Sequence, residues 1–266
     1  MAYSIGDVSR VLGMTASALH YYEKEGLIHK PKEEDSGWRS YDEEDVYRLI
    51  SVKKYGAMGV PLRDIAQQFS KNGMNGRQIL DRMKEKRAEA EGMARRCALL
   101  SEDIGRLIAV GEQGLEQEAV VDIRPTGDIL VFRPSDGGVI PKNKAEQAVA
   151  RRWLAAQPAV SLGIVRDPAR ERADRVLLIA RDRAKEYGFE PDGKTVFALS
   201  GGIALHAVVS CGIEQYDTPD DIFRPLWQFA REHRFEAQGM LWGSTLFVDC
   251  ANGKRMYYYD TYMVFK

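Results

Sequence analysis

The sequence predicts an α+β protein in three parts, because its hydrophobic pattern changes twice along the 266 residues. Over residues 1–75 apolar residues recur at the spacing of short helices. Residues 76–116 carry a heptad repeat, which predicts one long coiled-coil helix and a linker. Over residues 117–266 alternating apolar and polar residues predict strands, so this part should be an antiparallel-sheet domain with a few helices.

A helix-turn-helix opens the first part. A short amphipathic helix begins at residues 3–8 and ends near Gly13, which suits a turn because glycine tolerates positive φ. The hydroxyl of Thr15 can cap a second helix over residues 16–24. A loop then leads to residues 37–41, GWRSY, which predict a basic wing. Two short helices joined by a tight turn can place a recognition helix in the major groove of DNA.

The run IGDVSRVLGMTASALHYYEKEGL, followed by GWRSYDEEDVYRL, resembles the N-terminus of MerR-family transcription regulators over about residues 3–70. The resemblance implies a winged helix-turn-helix that binds double-stranded promoter DNA. The alternative interpretation is a helical protein–protein module. The residues expected to contact DNA lie on the second helix and in the wing: Thr15, Ser17, Ala18, His20, Tyr21, Lys24, Lys30, Trp38, Arg39 and Tyr41.

The charge balance restricts how this part can bind DNA. The whole chain has 38 Lys and Arg against 39 Asp and Glu, and residues 1–75 hold ten against eleven. We therefore expect phosphate contacts from one local surface. Ser17 and His20 stand where members of the family commonly have arginines, so we expect less direct base readout and more reliance on DNA shape.

Two further helices should support the winged module. Asp42 is expected to cap one that ends near Tyr55, and Pro61 should start the next, which ends near Ser70.

A long helix of about residues 77–112 follows, and its apolar side chains form two heptad rows. These rows are Ile79, Met93, Leu100 and Leu107 in one, and Met83, Ala90, Cys97, Ile104 and Gly111 in the other. The repeat predicts a coiled-coil partner, and the resemblance implies an antiparallel pairing in a homodimer. The alternative is a helix folded on its own C-terminal domain.

The third part should be a pseudo-symmetric α+β domain with a curved antiparallel sheet, built from two strand–helix–strand–strand units of about 70 residues. Strands are expected at residues 119–123, 128–133, 160–165, 175–180, 201–211, 239–249 and 255–265, and helices at 142–157 and 219–233. The element order resembles the GyrI-like small-molecule-binding domains of multidrug-type MerR regulators.

The last hairpin suggests a ligand site. If Asn252-Gly253 is a two-residue turn, Phe247 faces Tyr258 and Thr245 faces Asp260. Aromatic rings around one carboxylate attract lipophilic cations. The alternative is that the rings are sheet core and Asp260 forms a salt bridge at its rim. The candidate ligand-binding residues are Trp153, Trp242, Phe247, Tyr258, Asp260 and Tyr262.

The resemblance implies a ligand-responsive transcription regulator. Its partners would be a palindromic operator, a small organic effector, RNA polymerase and a second copy of the chain. An effector-bound dimer of this kind activates transcription by distorting a promoter with a long spacer, at a deformation cost on the order of several kcal/mol. Two other classes remain open: a C-terminal domain that hydrolyses small electrophiles, and a metal or redox sensor of the same family.

Several features argue against these alternatives and against a membrane protein. The sequence shows no nucleophile–base pair, so no catalytic residue is expected. Cys97, Cys211 and Cys250 lie far apart without a C-x-x-C motif, so neither a metal site nor a cofactor is expected. No signal peptide is visible, and no stretch approaches the ~20 apolar residues that a membrane span requires. We therefore expect a cytoplasmic protein without a membrane partner.

Overall fold

The computed structural model describes residues 3–29, 32–33, 39–69, 73–138, 140–169, 173–212 and 219–266. The chain divides into two compact units, Met1–Arg96 and Cys97–Lys266. No helix among the described residues is both long enough and apolar enough to cross a membrane.

The N-terminal unit combines short helices with a three-stranded antiparallel sheet of order β1-β3-β2. Its elements are β1 (Tyr3–Ser4), α1 (Ile5–Leu12), α2 (Ala16–Lys24), β2 (Lys32–Glu33), β3 (Arg39–Tyr41), α3 (Glu43–Ala57) and α4 (Leu62–Gln68). A core of Val8, Leu12, Leu19, Ile28, Tyr41 and Leu49 holds α1, α2 and α3 together.

The turn between α1 and α2 has the predicted chemistry. Gly13 ends α1 with φ +60°, a left-handed conformation that favours glycine. The hydroxyl of Thr15 accepts a hydrogen bond from the backbone N–H of Ala18 at 3.1 Å, which caps α2. Both predictions are confirmed, and together they fix the angle at which α2 leaves the turn.

Acidic residues at the start of α3 also have the predicted structural role. Asp42 accepts from the N–H of Asp45 at 2.9 Å, and Asp45 accepts in return from the N–H of Asp42 at 3.4 Å. This capping box satisfies two N–H groups that would otherwise lack partners. The backbone N–H of Asp45 holds the pKa of Asp42 below its usual value.

Helix α5 (Gly76–Glu116) has 41 residues and continues from the first unit into the second. It extends beyond the predicted end near residue 112 and includes Gly114, where the sequence suggested a linker. A Cβ atom on Gly114 would lie 2.3 Å from Cγ1 of Val208, and one on Gly111 would lie 3.0 Å from the ring of Phe247. The two glycines therefore allow the helix to approach the sheet closely. This packing outweighs the low helix propensity of glycine.

The C-terminal unit is built on an eight-stranded antiparallel sheet of order β4-β9-β11-β10-β6-β7-β5-β8. Its strands are β4 (Asp122–Thr126), β5 (Ile129–Phe132), β6 (Ser161–Arg166), β7 (Asp174–Ala180), β8 (Val196–Leu199), β9 (Gly202–Gly212), β10 (Leu241–Asp249) and β11 (Met256–Val264). Its helices are α6 (Lys144–Leu154), α7 (Arg181–Glu186) and α8 (Arg224–His233).

The sheet consists of two equivalent halves. Each half runs strand–strand–helix–strand–strand, from β4 to β7 and from β8 to β11. The halves exchange their first strands, since β4 pairs with β9 and β8 pairs with β5. The predicted α+β domain with an antiparallel sheet is confirmed, although the sequence pattern missed β8.

Helices cover both faces of this sheet. Leu205 of β9 packs in one cluster with Leu226 of α8. The neighbouring Ala204 points to the opposite face, in a cluster with Trp242. Val208 lies an even number of residues from Ala204 on the same strand, so it points to that same opposite face, and it contacts α5 there. The C-terminal part of α5 thus covers the face that α8 leaves open.

The last hairpin departs from its predicted register at one point. Phe247 pairs with Tyr258, as expected, but Asp260 pairs with Ser244 instead of Thr245. The cause is a β-bulge between Thr245 and Phe247, which adds one residue to β10. The turn is also longer than two residues, because Asp249 and Met256 form the last pair and a short 3-10 helix lies between them.

Candidate functional site

A cavity of about 560 Å³ lies between α5 and the sheet face that α5 covers. We call it the α5 cavity. Helix α5 contributes Asp103, Arg106, Leu107 and Val110 to its wall. The sheet contributes, among others, Leu178, Trp242, Ser244, Leu246, Asp260 and Tyr262. Its volume is within the range of about 300–1,000 Å³ typical of small-molecule sites.

An aromatic and acidic group forms one wall of the α5 cavity. The rings of Trp242 and Tyr262 stack with centroids 5.6 Å apart. The hydroxyl of Tyr262 donates to Oδ2 of Asp260 at 3.2 Å. Burial raises the pKa of Tyr262 well above its usual value, and the Asp260 carboxylate raises it further, so the hydroxyl remains a donor.

His206 is the second partner of Asp260, and the sequence analysis did not identify it. Its side chain is 1% exposed and lies between two carboxylates. Nε2 is 2.7 Å from Oδ1 of Asp260, and Nδ1 is 3.3 Å from Oδ2 of Asp122. The imidazole therefore bridges Asp260 and Asp122 and occupies one oxygen of each carboxylate.

The hydrogen-bond network continues from His206 to α5. Nε of Arg124 donates to Oδ1 of Asp122 at 2.7 Å, and its Nη2 donates to Gln113 of α5 at 3.0 Å. Gln113 in turn donates to Oδ2 of Asp122 at 3.1 Å. Burial alone would raise the pKa of Asp122, but Arg124 and His206 hold it below its usual value. An unbroken polar network thus joins Asp260 in the cavity wall to α5.

A buried ion pair holds α5 near α7. Nε of Arg183 donates to Oδ1 of Asp103 at 2.9 Å, and its Nη2 donates to Glu102 at 2.5 Å. Arg183 and Asp103 are both buried, whereas the side chain of Glu102 is exposed. The bond to Glu102 raises the pKa of Arg183, so the guanidinium stays charged.

The structure places only three of the six predicted ligand-binding residues in the wall of the α5 cavity. Trp242, Asp260 and Tyr262 come together in the wall of the α5 cavity. Phe247 and Tyr258 stack with centroids 4.6 Å apart but are not among the residues that line it. The ring of Phe247 is used to pack against Gly111 of α5.

Trp153 has a different role from the predicted one. It is 2% exposed and belongs to the core between α6 and the sheet. Its ring packs against Phe132 and Phe189. The prediction was wrong because the apolar face of α6 turns this ring towards the sheet face opposite the α5 cavity.

Helix α2 and β3 carry the described residues that were expected to contact DNA. Ser17, His20, Tyr21 and Lys24 are exposed on α2 and Ala18 is half-buried, whereas the Thr15 hydroxyl is used as a cap. Tyr41 is fully buried and its hydroxyl donates to Glu23 at 2.6 Å, so it is a core residue and not a DNA contact. Lys30, Trp38 and the side chain of Arg39 lie outside the described residues.

Residues 3–71 match the model of the MerR HTH family of regulatory proteins. This segment is therefore a MerR-family helix-turn-helix domain.

Relatives of the chain extend this comparison. It is 29% identical over 157 residues to the HTH-type transcriptional activator TipA of Streptomyces coelicolor, an alignment that covers 58% of this chain and 55% of TipA. It is 29% identical over 107 residues to the HTH-type transcriptional regulator SkgA of Caulobacter vibrioides, covering 40% of this chain and 41% of SkgA. The chain thus spans about half the length of the curated relatives it matches.

Among solved structures, the chain is similar to EcmrR in a cryo-EM structure of an EcmrR–DNA complex. The match covers 98% of this chain and 100% of EcmrR, with 16% identity and a TM-score of 0.35. A second similar chain is SkgA from Caulobacter crescentus, with 24% identity, a TM-score of 0.31, and coverage of 58% of this chain and 98% of SkgA.

One group of possible metal ligands is found among the described residues, and it lies in the MerR-family domain: His29, Asp42 and Asp45. The capping box already engages both carboxylates. Asp45 also accepts from the backbone N–H of His29 at 2.9 Å and lies 3.1 Å from its Nδ1. These hydrogen bonds give all three side chains a structural role in the domain.

Proposed function

We propose that this protein is a ligand-responsive, DNA-binding transcription regulator of the MerR family. In this proposal the C-terminal unit is a GyrI-like effector domain of the multidrug-sensing type. The observation that carries it is the α5 cavity, because aromatic rings and a carboxylate share its wall with a helix that continues into the N-terminal unit. A ligand in this cavity touches the helix that would transmit its presence.

The effector that fits best is a small lipophilic organic cation. The aromatic rings of Trp242 and Tyr262 line the cavity beside the Asp260 carboxylate, and cations are attracted to both kinds of group. Without ligand, Nε2 of His206 occupies Oδ1 of Asp260. A bound cation would compete with His206 for this carboxylate, and the network through Asp122 and Arg124 would carry the change to Gln113 of α5.

A homodimer through α5 is the second part of the proposal. Apolar side chains of the heptad remain exposed in the single chain, among them Met93, Leu100 and Ile104. A two-fold dimer would present two α2 helices, so its operator should be a palindrome of two half-sites. Activation would follow the family mechanism, in which the dimer distorts a long-spacer promoter for RNA polymerase.

A hydrolase is less well supported by the geometry. Both ring nitrogens of His206 already meet carboxylates, and the side chain is buried. It therefore has no nitrogen left to activate a nucleophile.

A thiol-based metal or redox sensor is also less well supported. Cys211 is buried, which raises the pKa of its thiol, whereas Cys97 and Cys250 are exposed and unpaired. A buried thiol of raised pKa is a poor nucleophile and a poor metal ligand.

The DNA upstream of the protein's own gene provides the direct test. We expect the purified protein to protect a palindrome inside a promoter with a long spacer. Tetraphenylphosphonium should then increase transcription from that promoter by RNA polymerase in vitro. Failure to bind any such palindrome would refute the regulator proposal. Binding with transcription unchanged by a panel of lipophilic cations would refute the cationic effector.

A further inference from the structure

We propose that Asp103 of α5 is a second acidic contact in the α5 cavity, so that the site takes organic dications with N–H donors at both ends, such as aromatic diamidines. This inference rests on the proposed effector function of the cavity and names its ligand class more narrowly. It also places a ligand contact on α5 itself, outside the sheet.

The decisive observation is an unsatisfied oxygen. Asp103 is 5% exposed, and Oδ1 accepts from Nε of Arg183 at 2.9 Å. Oδ2 is buried and has no hydrogen-bond partner among the described residues. A buried carboxylate oxygen without a donor costs free energy. Because Asp103 belongs to the cavity wall, a ligand donor that reaches Oδ2 would be favoured. Arg183 also divides its charge between Asp103 and Glu102, which leaves Asp103 incompletely compensated.

The other carboxylates in the cavity wall differ in this respect. Both oxygens of Asp260 have partners, His206 and Tyr262. Asp128 accepts from the N–H of Gly201 at 2.8 Å, and Asp182 accepts from the N–H of Arg183 at 2.8 Å. Asp103 is thus distinguished by being both deeply buried and half-satisfied.

Acidic side chains on two walls of the α5 cavity favour a cation with a charge at each end. Its wall contains four carboxylates, on Asp103, Asp128, Asp182 and Asp260, against two guanidiniums, on Arg106 and Arg181. Asp260 belongs to the sheet and Asp103 to the helix that covers it, so the two acids lie on different walls. Trp242, which is largely buried, adds an aromatic ring to the wall. Amidinium groups suit carboxylates because they present two N–H donors side by side.

Calorimetry on the DNA-free full-length protein tests the second contact. The probes are the diamidine DAPI, its monoamidine analogue, and tetraphenylphosphonium, which has one charge and no N–H donor. Asp103→Asn keeps an oxygen for Arg183 but presents an NH₂ group in place of Oδ2. We expect it to weaken DAPI binding about ten- to a hundredfold. Tetraphenylphosphonium binding should change less than about twofold.

Glu102→Gln is the matched control, because Glu102 also bonds to Arg183 but does not line the cavity. It should leave the affinity for all three probes unchanged. A comparison of two ligands in the wild-type protein does not depend on how a variant folds. We expect the wild type to bind DAPI about tenfold or more tightly than the monoamidine analogue.

Two results would overturn this inference while the effector proposal stands. One is equal DAPI affinity of the wild type and Asp103→Asn. The other is equal wild-type affinity for the diamidine and the monoamidine. In both cases tetraphenylphosphonium would still bind in a manner dependent on Asp260. If the wild type binds none of the three probes, the cationic-effector proposal and this inference both fail.

Discussion

At the scale of single residues, His206 links two acidic groups next to the α5 cavity. It sits between Asp260 and Asp122 with almost no exposure and occupies one oxygen of each carboxylate. The carboxylate that the sequence singled out is therefore not an isolated charge waiting for a ligand. It belongs to a hydrogen-bonded group of side chains, and a ligand must exchange with a partner already present.

Replacing His206 by Phe should destabilise the folded protein by about 1–3 kcal/mol, because it removes one hydrogen-bond partner from each of the part-buried carboxylates of Asp260 and Asp122. His233→Phe is the matched control: His233 is exposed on α8 and stacks on Phe229, and surface changes usually stay within about 0.5 kcal/mol. Urea unfolding of both variants measures the difference. Equal stability of the two would show that His206 does not stabilise these acids.

Asp192, before β8, gives a prediction for pH dependence. Burial alone would raise the pKa of Asp192, but the backbone N–H groups of Val196, Lys194 and Thr195 and the Thr195 hydroxyl lower it to about 2. Because the pKa is lower in the folded protein than the usual ~3.9, the ionised carboxylate stabilises the fold above about pH 4. This stabilisation is lost as the pH falls towards 2.

Asp192→Asn should therefore unfold at a lower temperature than the wild type at pH 7. The gap between the two melting temperatures should close as the pH falls from about 4 to about 2. Thermal melts across this range measure it. A gap that stays constant with pH would mean that the ionised carboxylate is not the stabilising species.

At the scale of elements, α5 and the last hairpin show what the sequence could and could not predict. The cap at Thr15, the turn at Gly13 and the pairing of Phe247 with Tyr258 follow from local chemistry, and all are present. The bulge next to Thr245 is not visible in the sequence, because one extra residue leaves no compositional mark.

The features that the sequence did not reveal depend on partners that are distant along the chain. Strand β8 has only four residues, too few for a clear alternation, and is defined by its pairing with β5. His206 lies in an apolar run of β9, and its role depends on Asp122, 84 residues away. Trp242 lies opposite Tyr262 because the bulge shifts the register of the hairpin by one residue, so the sequence pattern could not predict this pair.

The close contact of α5 with the sheet can be tested with two glycines of the same helix. Gly114→Ala should destabilise the protein by about 1–3 kcal/mol, because the new methyl group would overlap Val208. Gly105→Ala should stabilise it by about 0.5–1 kcal/mol, since a Cβ there meets nothing within 4 Å and alanine favours the helix. Urea unfolding gives both values. A stabilising Gly114→Ala would mean that α5 does not pack on β9 at this distance.

At the scale of the whole molecule, the proposed function requires α5 to form the dimer and to connect a DNA-binding domain with an effector cavity. Ile104→Glu places a charge in the proposed coiled-coil seam, and we expect monomers in sedimentation experiments, because each chain would bury an unpaired carboxylate. Ala98→Glu adds the same charge at an exposed position outside the heptad rows and should remain dimeric. A dimer that survives Ile104→Glu unchanged would rule out this seam.

The central claim is that the α5 cavity binds a cationic effector through Asp260. Calorimetric titration of tetraphenylphosphonium into the wild type, Asp260→Asn and Asp249→Asn tests it most directly. Asp249 carries the same charge on β10 but is exposed and does not line the cavity. The account predicts that the wild type and Asp249→Asn bind alike and that Asp260→Asn binds about ten- to a hundredfold more weakly. No binding to the wild type, or equal binding to all three proteins, would contradict it.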